Sequence, residues 1–110
     1  MGGFSIFGRV IVDGTSMQPT FNPLDWLLIY KGGLAGKFLF LRPGSVVVIE
    51  REKQPGIFYI KRISEIAIDS EGRESYFLLS DNEAGTDSRK WGWLSQAEIV
   101  GKIIMRIKKN

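Results

Sequence analysis

Residues 42–63 read RPGSVVVIEREKQPGIFYIKRI, and this stretch decides the fold class of the chain. Val46–Ile49 is a wholly apolar, β-branched run of the kind found in short strands that are buried on both faces. A turn at Gln54-Pro55-Gly56 then leads into Ile57–Ile63, a second run rich in β-branched and aromatic residues. Both runs predict β-strands.

Short apolar runs bounded by Gly and Pro turns continue in both directions from this stretch. No segment shows a long 3.6-residue apolar period, and at most one helical turn is predicted, near Ser95–Ala97. The pattern predicts one all-β domain over residues 1–110, with folded β-sheets that form a partly closed barrel and little helix. The further predicted elements are strands at Phe7–Val12 and Trp26–Tyr30, a flexible Gly-rich loop at Lys31–Lys37, a hairpin turn at Asp69–Gly72 with its return strand at Ser75–Ser80, a polar loop at Asp81–Lys90 and a last strand from Glu98 onward.

The composition restricts the chemistry that this chain can perform. Its 110 residues include no histidine and no cysteine, which excludes disulfides, thiolate metal sites and the usual zinc, copper and nickel ligands. No Asp/Glu cluster of the calcium-binding type occurs either, so we predict no metal and no cofactor. Nucleophilic catalysis would have to proceed without an imidazole or a thiol, and a serine with a lysine base is one of the few arrangements left.

Ser16 is the candidate nucleophile, within GTSMQPT at residues 14–20. Gly14, two residues before the serine, allows a sharp backbone bend that exposes the hydroxyl and directs backbone N–H groups at a developing oxyanion. A serine beside a glycine is also an ordinary turn residue, so the local context leaves both interpretations open.

Lys61 is the candidate base. Strand alternation puts its side chain on the same face as Ile57, Tyr59 and Ile63, where an ammonium is partly desolvated and its pKa falls. A general base must be neutral near the working pH, which asks for a pKa drop of roughly 2–3 units from ~10.4. The alternative is a strand lysine whose ammonium reaches solvent.

A polar loop, SDNEAGTDSRKWG at residues 80–92, is the third feature. Loops of this composition make Asx-type and hydroxyl hydrogen bonds that fix their shape, and Asp87 and Arg89 are spaced to pair. We predict a structural role for five of its residues: Asp81, Asn82, Asp87, Ser88 and Arg89.

In this order, the three motifs resemble those of the type I signal peptidases, a family of Ser–Lys endopeptidases. The resemblance runs from about Val12 to Lys102 and implies the all-β fold that signal peptidases share with self-cleaving SOS repressors. SMQPT at 16–20 resembles the serine box of the family, and YIKRI at 59–63 resembles its lysine box. SDN at 80–82 and DSR at 87–89 resemble the two halves of its late Gly-Asp-Asn…Asp-Ser-Arg box. RPGS at 42–45 resembles an Arg-Pro-Gly-Asp segment of the family, and IVGK at 99–102 resembles its usual ending.

The resemblance implies Ser16 as nucleophile and Lys61 as general base, with the backbone N–H of Ser16 at the oxyanion. Some relatives add a hydroxyl two residues before the nucleophile as a second oxyanion donor. That position is Gly14 here, so a backbone group or Thr15 would have to substitute. Many relatives orient the lysine with a serine of the late box, for which Thr86 is the nearest candidate.

Two departures from the family pattern indicate which subgroup of the family the chain resembles. The Gly-x-Pro-Gly-Asp stretch that usually follows the lysine box is missing, and the interval from Asn82 to Asp87 is short. The chain is most similar to the nickel-type superoxide dismutase maturation proteases. This implies a cytoplasmic enzyme that removes an N-terminal leader from the dismutase precursor, with the nickel belonging to that substrate and no nucleic acid among its partners.

Three alternatives stay open. The first is an enzyme that removes export signal peptides and contacts a membrane through Phe4, Ile6 and Phe7, if an anchor has been removed. The second is a self-cleaving SOS-repressor-like domain, which is disfavoured because no Ala-Gly pair precedes Ser16. The third is a non-enzymatic basic β-barrel binding module that uses the basic C-terminal tail, given the net charge of +3.

Overall fold

A computed structural model describes residues 6–32 and 40–110 of the chain. The predicted all-β fold with little helix is confirmed. Within these ranges no helix is long and apolar enough to cross a membrane. The elements are β1 (Phe7–Ile11), β2 (Trp26–Tyr30), β3 (Val46–Glu50), β4 (Phe58–Ile68), β5 (Glu74–Leu79), α1 (Ser88–Trp91), β6 (Leu94–Ser95), a 3₁₀ turn at Gln96–Glu98 and β7 (Ile99–Lys108).

The strands form one antiparallel sheet with the order β1-β2-β7-β3-β4-β5-β6. The last strand of the chain therefore lies between β2 and β3. The first and last strands of this order do not pair within the described ranges, so the sheet is open, in agreement with the predicted incomplete closure. Because β7 pairs with both β2 and β3, the N-terminal and central strands belong to one sheet. This arrangement brings together the segments that form the site.

The central strand β3 is buried on both faces, as its apolar sequence predicts. Val46 and Val48 belong to one hydrophobic core, and Val47 and Ile49 belong to the other. The first core consists of Val12, Met17, Leu27, Ile29, Val46, Val48 and Ile103, and the second of Val47, Ile49, Ile63, Tyr76, Leu78, Leu94 and Ile99.

The structure differs from the predicted elements mainly in the late polar loop. Its end forms the single-turn helix α1, capped by the Asp87 side chain, which accepts a hydrogen bond from the backbone N–H of Arg89. One turn is too short to show an apolar period, so the sequence pattern did not reveal it. Most of the loop predicted at Lys31–Lys37, from residue 33 onward, lies outside the described residues, as does Phe4.

Candidate active site

The serine loop begins where β1 ends. Gly14 has φ of +81°, a left-handed conformation that a residue with a Cβ rarely adopts, and this confirms the sharp bend predicted two residues before Ser16. On the other side of the serine, Met17 is anchored in the first core with only 2% of its surface exposed. Ser16 is therefore held between a backbone bend and a buried anchor.

Lys61 lies on β4 directly opposite Val47 and is 2% exposed. Its Nζ lies 3.0 Å from Ser16 Oγ and 3.0 Å from Ser80 Oγ. The rings of Tyr59 and Trp91 lie 5.7 and 6.0 Å from the same nitrogen. The ammonium thus faces two hydroxyls and two aromatic rings and does not reach solvent.

The electrostatic surroundings favour the neutral amine. Burial lowers the pKa of Lys61 from its usual 10.5, and the negative charge of Asp87 opposes that shift only in part. A neutral amine keeps a lone pair that can receive a proton, whereas an ammonium has none. The environment therefore moves Lys61 in the direction that a general base requires.

Ser80 is a site residue that the sequence did not identify. Its hydroxyl contacts Lys61 and also donates a long 3.4 Å hydrogen bond to the carbonyl of Thr86, whose own side chain is exposed. Thr86 therefore contacts this cluster through its backbone. The one available signal was a serine at the position where the late box of the family has glycine.

Gly85 makes room for the Ser80 hydroxyl. A Cβ at Gly85 would overlap Ser80 Oγ and would lie 3.0 Å from Ser16 Cβ. No side chain fits at residue 85 while Ser80 keeps its hydroxyl in place. The Ser80 hydroxyl and a side chain at residue 85 thus exclude one another sterically.

Asn82 ties the late loop to the serine loop. Its backbone N–H donates to the Ser16 carbonyl at 2.9 Å, and its side-chain amide donates to the Thr15 carbonyl at 3.1 Å. In a trans peptide the C=O and N–H point in opposite directions, so holding the Thr15 carbonyl directs the Ser16 N–H away from the late loop. No described acceptor takes that N–H, which leaves it available to a ligand.

The remaining late-loop residues hold this arrangement. Asp81 receives two 2.8 Å hydrogen bonds from the Arg62 guanidinium, and the Ser88 hydroxyl accepts one from the Leu78 N–H. Asp87, 1% exposed, accepts hydrogen bonds from the N–H of Ser80 and from the backbone and guanidinium of Arg89. Burial raises the pKa of Asp87, but the hydrogen bonds from Arg89 and Ser80 outweigh it and hold the pKa at about 2.

Replacing Asp87 by alanine is expected to lower the free energy of unfolding by about 3 kcal/mol, because it leaves the buried Ser80 N–H without an acceptor. Urea denaturation measures the change. Asp69→Ala is the control, since Asp69 also accepts hydrogen bonds from a backbone N–H and a guanidinium, both of Arg73, but is exposed, so its loss should cost clearly less. Equal losses in both variants would contradict this role for Asp87.

The same pKa predicts how stability depends on pH. The folded-state pKa of Asp87 is about 2 against the usual 3.8, so its contribution is complete above about pH 4 and is lost as the pH falls towards 2. Asp87→Ala should therefore differ most from the wild type above pH 4.

A cleft of about 520 Å³ extends from Ser16 along β1. Most of its lining is apolar, and the polar groups at it include Ser16, Asp13 and Lys31. Its course along β1 from Gly8 to Asp13 and its apolar walls suit an extended peptide rather than a small polar molecule.

A comparison with protein families finds that the model described as signal peptidase, peptidase S26, matches residues 2–70 of this chain. The matched range is well over half of the chain and includes Ser16 and Lys61, but it ends before the late loop that contains Ser80. A search of curated proteins finds no match.

Proposed function

The chain belongs to the signal peptidase family, peptidase S26, and from that premise we propose that it is a serine endopeptidase in which Ser16 is the nucleophile and Lys61 the general base. The observation that carries the proposal is the 3.0 Å distance between Lys61 Nζ and Ser16 Oγ at a lysine that is 2% exposed. Family membership supports the peptidase activity and the protein substrate. The assignment of the two residues rests on the geometry.

In the first half of the proposed reaction, neutral Lys61 takes the proton of Ser16 as Oγ attacks the scissile carbonyl carbon. The backbone N–H of Ser16 donates to the oxyanion of the resulting tetrahedral intermediate. The Lys61 ammonium then protonates the leaving amine as the C–N bond breaks, which leaves an ester on Ser16.

In the second half, Lys61 is neutral again and takes a proton from the water that attacks the ester. Collapse of the second tetrahedral intermediate releases the carboxylate of the cleaved leader, and Lys61 returns the proton to Ser16 Oγ. Acid and base roles thus alternate on one amine, which is why its pKa must lie near the working pH.

Ser80 has a positioning role in this proposal. A neutral amine has two hydrogens and one lone pair. If one hydrogen is donated to Ser80 Oγ, the lone pair can point at the Ser16 hydroxyl, and Ser80 passes its own hydrogen to the Thr86 carbonyl. Ser80 therefore sets the rotation of the amine about its terminal bond.

We expect Ser80→Gly to lower kcat by about 10- to 100-fold, because a misdirected base loses much of its effect. Gly85→Ser alone should also lower kcat, because its Cβ collides with Ser80 Oγ. The double variant, Ser80→Gly with Gly85→Ser, removes the collision with residue 80 and should be more active than Gly85→Ser alone, although the residue-85 Cβ still lies 3.0 Å from Ser16 Cβ. Steady-state kinetics on all four proteins gives the coupling between the two positions; a Ser80→Gly protein with wild-type kcat would contradict the role.

For the substrate, we propose a protein precursor with an N-terminal leader, and the nickel superoxide dismutase precursor is the first to test. The short interval between Asn82 and Asp87 and the absence of the usual sequel to the lysine box support this subgroup over the export enzymes. We propose a cytoplasmic location on the same ground.

The test is intact-mass analysis of the nickel superoxide dismutase precursor after incubation with this protein, with Ser16→Ala and Lys61→Ala in parallel. Loss of one defined leader with the wild type alone is the expected result. A precursor that stays intact with the wild type would argue against the dismutase substrate and direct the next assay to membrane-presented signal peptides. Cleavage that survives both substitutions would overturn the proposed mechanism.

A further inference from the structure

The cleft beside Ser16 has chemically different ends. Along its length the walls are apolar, with Val10 on β1 facing a lining that includes Val48 and Ile60. Asp13 lines it near the serine loop, and two cations line it further along β1: Lys31, whose side chain lies over Gly8, and Arg9, whose guanidinium lies 5.3 Å from the Trp26 ring. A peptide in this cleft therefore meets a carboxylate near Ser16 and positive charge at a distance from it, and Lys31 is the cation that is not stacked on an aromatic ring.

Lys31 is folded back into the cleft. Its backbone N–H is bonded to the Ile6 carbonyl at 2.7 Å, and its side chain crosses over Gly8. A Cβ at Gly8 would lie 2.9 Å from Lys31 Cε and 3.4 Å from Nζ, so the absence of a side chain at residue 8 is what lets the lysine lie there.

The Lys31 ammonium has no counterion of its own. Every Asp and Glu of the chain lies within the described residues, since residues 1–5 and 33–39 contain neither, and none forms an ion pair with Lys31. Beside apolar walls, the attraction between this charge and an incoming carboxylate is less screened than it is in water.

We propose that Lys31 forms a subsite for an acidic side chain of the peptide that this cleft binds. The inference rests on the proposed function and adds a substrate preference to it. The cleft follows β1, the first strand of the sheet order, so an extended peptide can lie along this strand.

Strand geometry gives the position of the acidic residue. Gly8 lies beneath the lysine, and the strand enters the serine loop after Val12; these four residues of strand span about 13 Å. An extended peptide has nearly the same rise, so the preferred Asp or Glu stands at least about four residues from the scissile bond. Asp13 disfavours an acidic residue next to the bond itself.

Binding and cleavage are measured separately. Fluorescently labelled peptides of alanine, valine and glutamine, with one glutamine replaced by glutamate at successive positions, are titrated into the Ser16→Ala protein. We expect glutamate at one position to tighten binding by about 10-fold, equivalent to about 1.4 kcal/mol, and the gain to shrink at high salt. Lys31→Gln should abolish the increase in affinity that glutamate gives. In the Lys31→Glu protein, a lysine at the same peptide position should increase the affinity instead. Lys53→Gln, which removes an exposed charge outside the cleft, should leave the increase that glutamate gives unchanged.

The outcomes separate this inference from the proposed function. Cleavage of all peptides by the wild type, with no preference for glutamate, overturns the Lys31 subsite and leaves the peptidase proposal standing. Binding with the Lys31-dependent preference but without cleavage supports the subsite and contradicts the peptidase proposal for these peptides. Binding that is insensitive to Lys31→Glu, or no binding at all, overturns the subsite.

Discussion

Ser16→Ala is expected to lower kcat/KM for leader cleavage by a factor of about 10⁴ or more, because it removes the atom that forms the ester with the substrate in the proposed mechanism. The protein should remain folded. Ser16 is only half-buried, and the contact that ties its loop to Asn82 runs through the backbone carbonyl, which the substitution retains. We therefore expect the free energy of unfolding to change by less than about 1 kcal/mol.

The assay for Ser16 combines cleavage of a precursor, followed by intact mass, with urea denaturation of the same samples. Ser64→Ala is a matched control, since Ser64 is also a half-buried serine but lies on β4 outside the cleft lining. The control should keep wild-type activity. Residual cleavage by Ser16→Ala within about tenfold of the wild type would exclude Ser16 as the nucleophile.

Lys61→Met is expected to abolish cleavage to a similar extent while leaving stability equal to or above that of the wild type. Methionine fills a similar volume without a charge to desolvate, whereas burial of the lysine lowers its pKa and so opposes folding. Lys61→Arg should be equally inactive, because a guanidinium stays protonated and cannot act as a base.

The pH dependence follows from the direction of the Lys61 shift. Cleavage should rise with pH through the pKa of Lys61, and burial moves that limb of the kcat/KM profile below the ordinary value of 10.5. For stability, the unfolded chain holds the proton more tightly than the folded one. The penalty on folding is therefore complete below the folded-state pKa and disappears as the pH rises towards 10.5.

A control for Lys61 is Lys90→Met, which removes an exposed lysine of α1 and should change neither activity nor the pH profile. The decisive comparison is the difference in stability between wild type and Lys61→Met as the pH is raised. If Lys61→Met loses several kcal/mol at every pH, the lysine stabilises the fold and the proposed lowering of its pKa is contradicted.

Local patterns predicted most of the strands because they depend on neighbouring residues only. The apolar run Val46–Ile49 requires burial on both faces, and it occupies the centre of the sheet with a core on either side. Alternation along β4 likewise put Lys61 on an apolar face, where the structure has it. The late loop was predicted less well, because the single turn of α1 and the two-residue strand β6 carry too few residues for a periodic signal.

The sequence by itself determined the all-β fold and the bend at Gly14, and it singled out Ser16 and Lys61 as the candidate nucleophile and base. Only the tertiary structure decided that their side chains lie 3.0 Å apart, since they are separated by 45 residues and meet through a sheet in which β7 is inserted between β2 and β3. The same is true of Ser80 beside Lys61 and of Lys31 across Gly8. The Ser80 hydroxyl needs the space left by Gly85, and the Lys31 side chain needs the space left by Gly8. Such space depends on how segments of the chain pack against one another, which no local sequence pattern encodes.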